Sequence, residues 1–138
     1  MNMSKILTFA ALLACASPAL AGDVVVIVNK ANDNAIDKTM VAKIYVGESK
    51  AWAGGGAIVA FDLPDDNPAR ASFATDIVGK SPASLKSLWT QNVFTGKAVP
   101  PKQAASDEDV KKAVSANKNA IGYIKASAAD DSIKVIVK

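Results

Sequence analysis

The chain has 138 residues, one cysteine, no histidine, and 16 basic against 13 acidic residues for a net charge of +3. With no imidazole and Cys15 as the only thiol, Ser-His-Asp and Cys-His catalysis and His/Cys metal sites are excluded by inventory, so no catalytic residue is nominated. The basic residues are scattered lysines, with Lys111-Lys112 the only adjacent pair, which describes a solvated surface and not a nucleic-acid footprint.

The first residues read as a targeting segment. Lys5 gives a positive start, Ile6 to Ala14 an apolar run too short to span a bilayer, and Ala19-Leu20-Ala21 a small-x-small cleavage site. Residues 1–21 are therefore expected to be a signal peptide, with the product in the periplasm. Leu12-Leu13-Ala14-Cys15 offers a competing reading, lipid attachment at Cys15. Residues 22–138 are expected to form a single domain, long enough to build a core without staples.

Val24 to Val28 is an unbroken β-branched run, as in a strand buried on both faces. Asn29 to Asn34 is polar and turn-prone and ends it. Asp37 is placed to cap a helix in which Met40, Val41, Ile44 and Tyr45 share one face. Gly47 follows where a C-terminal cap is wanted. A loop holding Trp52 and Gly54-Gly55-Gly56 leads to a second apolar strand over Ile58 to Phe61. Asn67 and Pro68 read as the cap and first position of a second helix, which runs to about Val78 before Gly79. Ser81-Pro82 repeats that pattern for a third helix, with Leu85, Leu88, Trp89 and Val93 on its apolar face and Trp89 in the core. Thr95-Gly96-Lys97 is a turn, because it lacks the first glycine and the strand-to-helix setting of a phosphate loop. Pro100-Pro101 stiffens the loop that follows. Ser106 and Asp109 open a fourth helix with Val110, Ala113 and Val114 inward. Ile121 to Ile124 and Ile133 to Val137 close the chain as strands. Apolar strands alternating with helices place the chain in the α/β class, with a mostly parallel central sheet flanked by helices.

The order of these pieces carries a resemblance. Val28-Asn29, Ile44-Tyr45-Val46-Gly47 and Trp52 resemble the "VN … I(F/Y) … G … W" stretch of phosphate-type solute-binding proteins of bacterial ABC transporters. Asn67-Pro68-Ala69-Arg70 with Phe73, Gly79-Lys80-Ser81-Pro82, Phe94-Thr95-Gly96-Lys97 and Ala120-Ile121-Gly122-Tyr123 continue it in order, the last like that family's "GAIGY" strand. The resemblance implies one lobe of a type II periplasmic binding protein, an exported domain that binds phosphate or a related oxyanion for uptake or sensing. It implies an ABC transporter or an envelope sensor as protein partner, no cofactor and no enzymatic activity. Two departures stand out. The chain is long enough for about one lobe, where the family has two. Where the family's "R-S-D-G-S-G-T" anion loop should fall, the chain reads Asp62-Leu63-Pro64-Asp65-Asp66-Asn67-Pro68-Ala69. The rival from another class is a non-catalytic interaction module that has lost its ligand.

Arg70, the sole arginine, stands in the first turn of the second helix. A helix start and a guanidinium together make a candidate anion site, with Asn67, Ala69, Arg70 and Ser72 as the groups involved. The structural alternative is that Arg70 pairs with Asp65 or Asp66 and stabilises the loop. Asp62, Asp65 and Asp66 lack the spacing and the glycine of a calcium loop, so no metal site is assigned.

Overall fold

In a computed structural model, the chain is described over residues 23–137. The expected signal peptide and Cys15 lie outside the described residues. Five strands form one sheet in the order β3-β2-β4-β1-β5. They are β1 (Val24–Val28), β2 (Val59–Asp62), β3 (Lys102–Gln103), β4 (Ala120–Lys125) and β5 (Lys134–Val137). Four helices accompany them: α1 (Lys38–Tyr45), α2 (Pro68–Ser72), α3 (Pro82–Phe94) and α4 (Asp107–Ala116). α2 runs directly into a π-helical segment, Phe73–Val78.

The α/β class and the helix-flanked sheet stand as expected. The pairing is evenly split rather than mostly parallel. β2 runs parallel to β3 and β4, while β1 runs antiparallel to β4 and β5. Alternating elements give the class, but the direction of a strand depends on which neighbour it meets. β1 meets the two strands that end the chain. β3 is a fifth strand, formed within the loop expected after the third helix. Its two residues are exposed and follow two prolines, so no apolar pattern marks it.

β1 owes its central place to composition. All five of its residues are buried, with Val26, Ile27 and Val28 fully so. At about 1.5–3 kcal/mol for each large aliphatic side chain, this strand is a principal source of stability. β4 is buried from Ala120 to Ile124 and presents opposite neighbours to the two faces of the sheet. Gly122 faces α4, where a Cβ would lie 2.5 Å from Val110 Cγ1. Tyr123 faces the other layer, where its ring stacks on Phe73 at 3.9 Å and an interplanar angle of 4°.

The helix starts are those that the caps announce. Asp37 accepts from Met40 N at 2.8 Å, Asn67 from Ala69 N at 2.9 Å, Ser81 from Ser84 N at 3.1 Å and Ser106 from Asp109 N at 3.3 Å. Gly47 ends the first helix region at φ +87°, a left-handed conformation that favours glycine. Trp89 departs from expectation. It is half-buried on a groove wall rather than in the core, and Val93 beside it is 52% exposed. α3 buries only Leu85 and Asn92, because its contacts run to the π-helical segment and the end of α1 rather than flat onto the sheet.

Candidate functional site

β2 ends at Asp62, and the chain turns through Pro64–Asn67 into α2. The start of that helix is internally satisfied. Pro68 has no N–H, Ala69 N is taken by the Asn67 side chain, and Arg70 N donates to Asn67 O at 3.0 Å. Asn67 thus serves as a cap, Ala69 is buried beneath it, and Ser72 ends α2 half-buried. The charged group these elements present is the Arg70 guanidinium.

Arg70 is held from three sides. Its Nη1 pairs with the Asp65 carboxylate and donates to Leu63 O at 3.3 Å, and its Nη2 lies 3.8 Å from Asp62 Oδ2. The pairing with Asp65 is the structural alternative raised by the sequence, joined by Asp62. Asp65 is shared in turn, since Lys86 Nζ on α3 reaches its other oxygen at 3.3 Å. One exposed carboxylate therefore lies between two cations from neighbouring helices. These residues line a groove of about 580 Å³ whose other wall is Trp89, Pro100 and Pro101.

Behind the pair lies a buried polar relay. Asp62 Oδ1 accepts from the Tyr123 hydroxyl and from Leu63 N, the latter at 2.9 Å. Burial pushes the Asp62 carboxyl up, partly offset by the hydrogen bond from Tyr123 and the charge of Arg70. Burial first, and the Asp62 charge second, push the Tyr123 hydroxyl far above the ordinary phenol range, so it remains a donor. The Tyr45 hydroxyl is likewise raised by burial and donates to Phe61 O at 2.7 Å. Tyr45 meets Phe73 edge-on at 4.6 Å, so the three rings fix the floor under Asp62. None of these groups is an activated nucleophile. The arrangement can hold an anion or a carboxylate by charge-assisted hydrogen bonds.

The structure thus brings Arg70 together with Asp62, Asp65 and Lys86. Reading the sequence did not join Lys86, Tyr123 or Asp62 to the site. Tyr123 left a usable signal, because a tyrosine in an otherwise apolar buried strand requires a partner for its hydroxyl. Lys86 left none, being one exposed lysine on a helix among many in the chain. Trp52 is buried and donates from Nε1 to Asn119 O at 3.0 Å, which makes it a loop-packing residue. Among the described residues, no cluster of three or more acidic side chains is placed to hold a metal ion.

No curated protein matches the chain significantly. An ABC-type phosphate transport receptor from Vibrio cholerae superposes with a TM-score of 0.65 at 20% identity, over 85% of this chain and 47% of that one. A Clostridium perfringens structure, described as a phosphate ABC transporter substrate-binding protein with bound phosphate, gives 0.66 at 26% identity, over 85% of this chain and 46% of that one. The chain spans just under half the length of these solved relatives. The family model for the PBP superfamily domain matches residues 6–137. The chain is a member of the PBP superfamily.

Proposed function

We propose that this chain is an exported, non-catalytic solute-binding domain whose ligand is a small oxyanion, inorganic phosphate first among them. The observation that carries this reading is the Asp65 carboxylate clamped between Arg70 and Lys86. Two cations converge on a trigonal oxyanion at a groove, and an external oxyanion has the same chemistry. Asp65 is 60% exposed while Arg70 is 18% exposed, so solvent reaches the carboxylate and it acts as an exchangeable internal competitor at a sheltered guanidinium. Arg70 is the centre of the site, Asn67 and Ala69 set the helix start that carries it, and Ser72 follows on the same short helix. The phosphate named for the two solved relatives supports the choice of ligand, and their transport role supports an ABC transporter or envelope sensor as partner. The leader-like start of the sequence supports a periplasmic location, with lipidation at Cys15 as the alternative route.

The test is thermal unfolding with phosphate and sulfate. A dissociation constant of about 1 μM would stabilise the fold by about 2.7 kcal/mol at 100 μM ligand, a shift of several degrees. Asp65→Asn should enlarge the wild-type shift and Arg70→Ala should abolish it. If neither wild type nor Asp65→Asn responds to millimolar oxyanion, the reading fails. The second reading, a protein-interaction module, then gains. It is favoured by Phe94 and Val99, which are 90% and 87% exposed at the end of α3 and in the following loop. A specific envelope protein that is retained by wild type and lost with Phe94→Ser would support it.

A further inference from the structure

Trp89 also walls a second cavity, of about 660 Å³, between the end of α1, β2 and the segment leading into β3. That is the size of a small-molecule pocket. Its walls include Ile44, Ile58, Val59, Trp89, Val99 and Pro100. Lys50, Lys97 and Lys102 also line it, and no aspartate or glutamate does. Among the described residues none of these three lysines forms a salt bridge.

The cavity is built rather than collapsed by chance. Trp89 is fixed by its Nε1, which donates to Tyr45 O at 2.7 Å. Asn92, buried behind it, donates to Val46 O at 3.1 Å. A Cβ on Gly47 would lie 3.1 Å from Ala98 Cβ and 3.2 Å from the Trp89 ring, so the glycine lets these walls close on one another. Lys50 Nζ donates to Lys97 O at 2.5 Å and ties the far loop down, and Pro100-Pro101 restricts its backbone. Preformed walls reduce the ordering that a ligand must drive.

Two simple ligand classes fit half of this. A neutral apolar molecule fills the walls and leaves the lysines unanswered. An inorganic anion answers the lysines and gains nothing from the walls. We propose that the cavity binds a small apolar carboxylate, its hydrocarbon or aromatic body against Trp89, Ile44 and Ile58 and its carboxylate answered by Lys97 and Lys102. The site shares the Trp89 and Pro100-Pro101 wall with the groove at Arg70 but includes neither Arg70 nor its carboxylate partners, and it does not rest on the oxyanion reading.

Calorimetric titration of the wild-type chain with octanoate and with 1-octanol tests it. Octanoate should bind saturably, one per chain, and shift the Trp89 emission. Octanol should bind about tenfold more weakly, since it keeps the chain length and drops the charge. The Lys97→Gln/Lys102→Gln double variant, checked by circular dichroism for an unchanged fold, should bring octanoate down to the octanol level. Arg70→Ala should leave octanoate binding as in wild type. Equal binding of acid and alcohol overturns the proposal, as does no binding of either. Octanoate binding that survives loss of both lysines, or vanishes with Arg70→Ala, also overturns it.

Discussion

Asp62 faces two demands at the end of β2. It is 14% exposed, which favours its neutral form, yet Tyr123, Leu63 N and Arg70 all address it as an anion. Burial prevails, and the folded carboxyl titrates above its ordinary range. The folded state therefore holds the proton more tightly than the unfolded chain, and this residue's contribution to stability falls as pH rises from about 4 through the raised value. Asp62→Asn keeps an oxygen for Tyr123 and Leu63 N and removes the charge, so its stability relative to wild type should improve as pH rises across that window. Urea unfolding over a pH series measures the gap, and a gap independent of pH would count against the assignment. Asp130 has the opposite sign. Its carboxyl is held below the ordinary range by the Lys111 ammonium, 2.8 Å away, so its contribution is present above about pH 4 and is lost at lower pH. Asp130→Asn should lack that acid loss. At this scale the sequence showed Arg70 and its acidic neighbours but not the relay. Tyr123 lies far from Asp62 along the chain, and only the β2–β4 pairing brings them together.

At the scale of elements, local chemistry was legible and long-range placement was not. β1 falls where its β-branched run falls, and Asp37, Asn67, Ser81 and Ser106 cap the helices that follow them. Those signals lie within a few residues of their effects. The π-helical winding of Phe73–Val78 was not legible, since its residues suit an α-helix as well. Trp89 was misplaced because apolar spacing marks a face without saying whether that face meets a core or a groove. Gly122 is where element packing is tightest. Gly122→Ala would drive a Cβ into Val110 and should destabilise the domain by about 1–3 kcal/mol. Adding Val110→Ala should recover part of that loss, because the two sites share one space. Chemical unfolding of the four-membered cycle checks this, and strict additivity would mean that α4 and β4 do not meet as described.

For the whole molecule, the matched region is a PBP superfamily domain built as one sheet with helices against it, about half the length of its solved relatives. Among the described residues no helix is long and apolar enough to cross a membrane. Export is expected to remove residues 1–21, and the intact mass of protein from the cell envelope measures it. A mass that keeps Met1, or one that carries lipid on Cys15, rejects cleavage after Ala21. The position of β1 in the sheet bears on when the chain can fold. Among the described residues its strand partners are β4 and β5, which follow the other strands in sequence. This apolar strand therefore stays unpaired until β4 and β5 are available, and pairing across such a separation is intrinsically slow. A version ending at Asp131 lacks β5 and should show no cooperative melt, whereas the 138-residue chain should refold in milliseconds to seconds. A truncated chain that melts cooperatively would show that β1 and β4 suffice without β5.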